Sequence, residues 1–215
     1  MKIPTTQRCR AFTMVEALVV TLVVLTLLAL GILGFGKLRH RANNIHCVSF
    51  LVQIGIATRI WQGDHNGNYP MEVSVAQGGA QELLATGNVS ACFEVMSNEL
   101  GTPIILACLN DTKSQAATVW SGDLSRTNIS YFIGLAATNS LESTVLAGDD
   151  NLLQNGRAVA SGIVNLGTSP ATWTSHRHQG AGNVLMGDGS VQCVKQMGFA
   201  SSPGTLFATN RIVVP

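Results

Sequence analysis

No charged side chain occurs from Ala17 to Gly36, and leucine and valine dominate that run, ALVVTLVVLTLLALGILGFG. About 20 residues of helix span roughly 30 Å, the thickness of a bilayer's hydrocarbon core. Past this run the apolar positions narrow to one stripe. Leu38, Ala42, Ile45, Val48, Val52, Ile56 and Ile60 recur at gaps of three or four, the period of one face of an amphipathic helix. Gly63 and the cluster Asp64-His65-Asn66-Gly67-Asn68 end it. The pattern predicts one helix over residues 13–62. Its first half suits a membrane, and its second half suits packing on a globular head. Gly31, Gly34 and Gly36 lie near the join, where they either soften the helix or allow close helix packing in lipid.

Beyond Tyr69-Pro70 the texture changes. Short helices are expected over 80–85 and 92–100. Runs rich in β-formers follow at 104–109, 129–135, 144–146, 162–166, 184–186, 191–194 and 206–214, separated by turn residues. Gly187-Asp188-Gly189-Ser190 reads as a hairpin turn between the strands on either side. This order predicts an α+β chain: a long N-terminal helix packed on a small C-terminal antiparallel β-sheet head.

Composition sharpens the picture. Only 12% of the 215 residues are charged, about half the usual share for a soluble domain. The net charge of +1 leaves no electrostatic footprint for nucleic acid. The cysteines are Cys9, Cys47, Cys92, Cys108 and Cys193, with no CxxC spacing, which argues against a zinc site. In an oxidising compartment Cys92 and Cys108 are the pair nearest in sequence, and a disulfide between them is expected. The alternative is that some or all of the cysteines are buried free thiols.

The N-terminus carries the functional argument. Residues 1–10 are polar and basic, with Lys2, Arg8 and Arg10. A secretory signal would place its small-x-small cleavage site after a shorter apolar core, but Ala29-Leu30-Gly31 lies inside the run. A plain anchor leaves Glu16 unexplained. A carboxylate costs about 2.5–3.5 kcal/mol at the centre of a membrane helix, less near its edge, and such acids usually have a partner. The stretch Arg10-Ala11-Phe12-Thr13-Met14-Val15-Glu16-Ala17-Leu18-Val19-Val20 resembles the type IV prepilin cleavage and methylation motif, G-F-T-L-I-E-L-L-V-V. The resemblance implies cleavage by a prepilin peptidase between Ala11 and Phe12, and N-methylation of Phe12. It also implies an ion pair between Glu16 and the terminal amine of an adjacent subunit, a cation that lowers the cost of both buried charges. Ala11 stands where the family has Gly. Charge gives little orientation of its own, because Lys37, Arg39 and Arg41 follow the span. Loss of the leader removes three cations and turns +1 into −2.

A second resemblance lies near the C-terminus. His176 to Val191, with His178 followed after nine residues by Asp188-Gly189, is similar to a motif of prepilin-like proteins named for its His and its Asp-Gly. Cys47 with Gln53-Ile54-Gly55, Asn66 to Pro70, Cys108 and Gly148-Asp149-Asp150-Asn151 agree with the same group; Leu109 departs from the Pro usual after the Cys. The leading reading of His178, Asp188 and Gly189 is structural: a His and an Asp pinning the hairpin, with Gly taking positive φ. A metal or calcium site near Asp149, Asp150 or His176/His178/Asp188 is a rival, though no ordered oxygen-ligand loop is legible. A catalytic dyad finds no nucleophile elbow around Ser175 or Ser190.

The combined expectation is a leader at 1–11, a transmembrane helix at 12–36, an amphipathic helix at 37–62 and a head at 63–215. The resemblance implies a pseudopilin, a non-enzymatic subunit of a type II secretion or type IV pilus-like filament, needing no cofactor. Its partners would be the prepilin peptidase/methyltransferase, further copies or related pseudopilins, and the inner-membrane assembly platform. It would sit single-pass in the bacterial inner membrane, N-terminus cytoplasmic and head periplasmic, before joining the filament. The alternative is a membrane-anchored periplasmic binding or hydrolytic protein using the C-terminal His/Asp motif.

Overall fold

The computed structural model describes residues 13–120, 124–135, 137, 144–167, 169–198 and 211–215, and only the backbone of 32–40. Ala11 and Phe12, the expected cleavage and methylation positions, lie outside the described residues.

Thr13 opens the first helix. Glu16 Oε2 accepts from the Thr13 N–H and from its hydroxyl, both at 2.9 Å, while the Thr13 hydroxyl accepts from the Glu16 N–H at 3.3 Å. This reciprocal arrangement is a capping box, and the acid sits at the end where the helix dipole favours negative charge. Helix α1 (Met14–Asp64) follows. Residues Met14–Gly31 have mean hydropathy 2.4 and none of them is buried. Thr21 and Thr26 donate their hydroxyls to the carbonyls of Leu18 and Val23, at 2.9 and 2.8 Å, so both are satisfied within the helix. The segment is long and apolar enough to cross a membrane, a test that a signal sequence also passes.

Residues 42–215 form a second compact unit. The part of α1 inside it buries Cys47, Leu51, Ile54, Ala57 and Trp61 in the core. Ile45, Val52, Ile56 and Ile60 are exposed instead, Ile45 at 67%. The stripe read from the sequence is therefore the outer face of the helix. Both faces satisfy the helical period, and the head takes the one carrying Trp61 and Cys47. Gly55 lies on the buried face, where a Cβ would stand 2.8 Å from Leu185 Cδ1; glycine allows the close approach.

Three short helices follow: α2 (Gln81–Ala85), α3 (Ser90–Val95) and α4 (Ser97–Leu100). The strand expected at 104–109 is absent. Pro103–Leu106 form a 3-10 turn because Pro103 presets φ and the Thr102 hydroxyl caps the Ile104 N–H at 3.4 Å.

The strands are β1 (Tyr131–Gly134), β2 (Val145–Asp149), β3 (Leu152–Gln154), β4 (Arg157–Ala158), β5 (Gly162–Asn165), β6 (Ala171–Trp173), β7 (Gly182–Met186), β8 (Val191–Val194), β9 (Gln196–Met197) and β10 (Arg211–Val214), with α5 (Ser175–His178) before β7. They make a six-stranded sheet, β5-β10-β1-β2-β7-β8, and a four-stranded sheet, β4-β3-β6-β9. Every pairing given is antiparallel. The chain is thus α+β, with an N-terminal apolar helix and a C-terminal antiparallel sheet region.

Central strands are buried on both faces, and alternation sorts their side chains. Tyr131, Ile133, Leu146, Leu185 and Val213 join the α1 residues in one apolar cluster. Phe132, Val145, Val184, Met186, Ile212 and Val214 join Leu152, Ala171, Trp173 and Met197 of the smaller sheet in another. The six-stranded sheet therefore separates two cores.

The disulfide differs from expectation. Cys108 pairs with Cys47 of α1, whose Cα lies 5.3 Å away, and not with Cys92. Cys92 is a free thiol enclosed in the helix-side core, and burial pushes it up to about 12. Nearness in sequence misled because the fold sets Cys108 against Cys47 of α1, 61 residues away along the chain.

Candidate functional site

The six-stranded sheet lines up polar residues on its helix-facing side. Tyr131 on β1 pairs with Asp149 on β2, and the Gly148–Val184 register sets Asp149 opposite Asn183 on β7. Tyr131, Asp149 and Asn183 are all fully buried. Asp149 Oδ2 accepts from the Asn183 N–H at 2.7 Å and from its side-chain amide at 3.1 Å. The Trp173 indole holds the Asp149 carbonyl at 3.1 Å. Asp149 Oδ1, Tyr131 Oη and Asn183 Oδ1 have no hydrogen-bond partner. A buried polar atom left unpaired costs about 1–3 kcal/mol, so three in one row mark this place as unusual.

Helix α5 contributes two buried side chains. It is a single turn, ended by Gln179 at φ 58°. His178 Nε2 lies 3.3 Å from Asp149 Oδ2, with both side chains sealed from solvent. The same nitrogen is 3.4 Å from Cys108 Sγ, and Nδ1 faces the Asn110 side-chain amide at 3.5 Å. The ligand atoms of Cys47, Cys108 and His178 all lie within 4.8 Å of one another.

Arg177 points to the neighbouring acids. Its guanidinium donates to Asp111 Oδ2, to Asp150 Oδ1 at 2.6 Å and to the Ser130 carbonyl at 2.9 Å. Burial pushes the Asp111 carboxyl up, but Arg177 and donors from Lys113, Ser114 and Ser130 outweigh it, and the carboxyl titrates below its ordinary value. Asp150 has fewer donors, so burial prevails over Arg177 and its carboxyl titrates higher than usual. Burial lowers Arg177, yet Asp150, Asp111 and Asp149 together raise it further above its ordinary value. The guanidinium is permanently charged here and acts as the counter-ion of the cluster.

Beside the cluster runs an open polar groove of about 690 Å³. Asp111, Asp150, Arg177, His176, Lys113 and Arg126 line it. His178 is not among its lining residues and is closed off behind Arg177.

The sequence motif divides between two places. Asp188 Oδ1 accepts from the Ser190 N–H at 2.8 Å in the β7–β8 turn, and Ser190 lowers the Asp188 carboxyl. Gly189 takes φ 82° there, and Arg59 of α1 donates to the Asp188 carbonyl. No hydrogen bond or ion pair joins His178 to Asp188, so Asp188 fastens the turn and His178 belongs to Asp149. Glu16 belongs to the N-terminal unit, in the capping box at the start of α1. Asp111 and Arg177 carry no spacing signal in the sequence. Asp150 Oδ1 is taken by Arg177, and no oxygen cage for calcium forms around it among the described residues.

Chemically, Cys108, His178 and Asn110 stand in the order nucleophile, base and orienting amide. The sulfur is tied to Cys47 and no solvent reaches the imidazole, so a substrate has no approach. No family model, curated protein or solved structure matches the chain.

Proposed function

We propose that the chain is a pseudopilin, a structural subunit of a type II secretion or type IV pilus-like filament, with no catalytic role and no required cofactor. A prepilin peptidase/methyltransferase cuts between Ala11 and Phe12 and methylates the new terminal amine. The subunit waits in the bacterial inner membrane with its head in the periplasm. It then moves, through the assembly platform, into a filament of further copies or related pseudopilins. One observation carries this reading: the motif Phe12-Thr13-Met14-Val15-Glu16 runs without a break into a charge-free helix of membrane length. The exposed residues Ile45, Val52, Ile56 and Ile60 support it, because they leave an apolar face on the head's part of α1 that neighbouring subunits would cover.

The capping box gives Glu16 a local role in addition to the proposed ion pair. Glu16→Gln separates the two. Glutamine keeps the cap and loses the charge. We expect a folded head, an intact helix start and failed filament assembly. Mass spectrometry of the mature chain should begin at N-methyl-Phe12. An intact Met1, a cut after residue 30, or normal assembly of Glu16→Gln overturns the proposal.

The polar groove favours one second reading, a membrane-anchored periplasmic binding protein. Its Arg177, Asp111 and Asp150 floor presents both signs of charge. A hydrolytic version would have to use Ser114, whose hydroxyl donates to Asp111 Oδ2 at 2.7 Å, an oxygen that Arg177 already holds. Titrating the folded chain with small polar solutes, read by the protein's own fluorescence, decides whether the groove is used.

A further inference from the structure

We propose that Cys47, Cys108, His178 and Asp149 form a latent binding site for a thiophilic divalent cation, zinc by preference, which opens when the Cys47–Cys108 bond is reduced. The disulfide and the metal are two alternative ways of closing the same site. The inference is independent of the filament reading.

The donor set is of the right chemistry. Two thiolates, an imidazole and a carboxylate are all zinc ligands. The geometry also fits. Zn–S near 2.3 Å, Zn–N near 2.0–2.1 Å and Zn–O near 2.0–2.2 Å put tetrahedral edges at about 3.5 Å between S and N and about 3.3 Å between N and O. Cys108 Sγ lies 3.4 Å from His178 Nε2, and His178 Nε2 lies 3.3 Å from Asp149 Oδ2. His178 Nε2 therefore already stands at coordination spacing from both a sulfur and a carboxylate oxygen. The Cys47 sulfur belongs to the same cluster as Cys108 and His178, and Asp149 joins it through His178 once the side chains turn inward.

A second observation points to a cation independently of the cysteines. Asp149 is fully buried and its Oδ1 has no partner, beside the unpartnered Oη of Tyr131 and Oδ1 of Asn183. Arg177 bonds the two neighbouring carboxylates, Asp111 and Asp150, whereas Asp149 faces only His178 and the Asn183 amides. A bound cation answers the remaining negative charge where burial makes it costly. Asn183 donates twice to Asp149 Oδ2, and Asn110 faces Nδ1 of His178; both hold first ligands in orientation, as outer partners do in metal sites.

The chemistry balances with a dithiol as reductant. Two electrons and two protons pass from the dithiol to the sulfurs, the Cys47–Cys108 bond breaks, and the dithiol closes to its own disulfide. The incoming cation then displaces both thiol protons to solvent and takes the Nε2 lone pair of neutral His178. The proton of that imidazole moves to Nδ1, and the Asn110 amide must turn its Oδ1 to the ring to accept it.

The full chain in detergent, reduced with a dithiol and freed of it without oxygen, tests this with Co²⁺ as probe. The expected result is one cobalt per chain, with a thiolate-to-cobalt charge-transfer band and the d–d bands of a tetrahedral site. Zn²⁺ should displace the colour. The oxidised chain should show neither band, and His178→Gln should shift the d–d bands and weaken binding at least tenfold. The oxidised and reduced wild-type chains make the comparison even where a variant fails to fold. Absence of the charge-transfer band in the reduced chain overturns the site. So does equal binding by the oxidised chain or by Cys47→Ser/Cys108→Ser.

Discussion

Arg177 holds Asp111 in a buried ion pair, and the same guanidinium reaches Asp150 and a backbone carbonyl of the strand entry at Ser130. The head thus places one cation between two acids drawn from distant parts of the chain. Replacing Arg177 with Met should cost about 3–5 kcal/mol, because two acids stay buried without their counter-ion. Chemical denaturation of the full chain in detergent measures this. Arg177→Met/Asp111→Asn should lose less than the sum of the single changes, since the second removes a charge the first has stranded.

The acids give a pH dependence with opposing signs. Asp111 titrates below its ordinary value when folded, so the stability it contributes is complete above the ordinary range near about pH 4 and fades as pH falls through the lower folded value. Asp150 titrates above its ordinary value, so its contribution is present in acid and lost as pH rises through that higher value. Asp111→Asn should therefore flatten the fall of stability on acidification from about pH 6 to about pH 3, and Asp150→Asn should steepen it. Identical slopes in both variants would show that neither carboxyl is perturbed as described.

The long helix was legible because a charge-free run followed by helical spacing admits one physical solution. Which face of its second half would be buried was not. Ile45, Val52, Ile56 and Ile60 are larger and more apolar than Cys47 and Ala57, so hydropathy chose the wrong side. The choice depends on Gly55 accepting Leu185 and on Cys47 meeting Cys108, facts of tertiary contact. The longer strands and the hairpin at Asp188 follow from β-formers and turn residues. Strands β3, β4, β6 and β9 have two or three residues each and owe their form to neighbours. His178 was singled out by its motif, but its partner Asp149 comes from strand β2, outside that motif. Arg177 lies inside the motif stretch but was not singled out there, and Asp111 stands in no motif, since a buried ion pair leaves no local pattern.

Gly182 tests the packing behind the polar row. A Cβ there would overlap the Trp173 indole. That indole donates to the Asp149 carbonyl. Gly182→Ala should shift the ring, break that bond and destabilise the head by about 1–3 kcal/mol. Tryptophan fluorescence and the unfolding midpoint report the two effects. An unchanged midpoint would mean the sheets part freely at β7.

The cysteines give a test that reads core packing and processing together. Cys193 is an exposed thiol, whereas Cys92 is enclosed and its thiol is pushed up to about 12. The thiolate is the reactive form, so both burial and protonation protect Cys92. Cys47 and Cys108 are tied to each other. Cys9 precedes the proposed cut and would leave with the leader. A processed, folded chain should therefore take one maleimide, at Cys193. Unfolding without reduction should expose a second thiol, Cys92, and unfolding with reduction should give four. A chain that keeps its leader carries Cys9 as well, so the fully reduced and unfolded total becomes five. Rapid labelling of Cys92 in the folded chain would contradict the packing of α3. A total of five in material drawn from assembled filaments would contradict removal of the leader while leaving the head structure untouched.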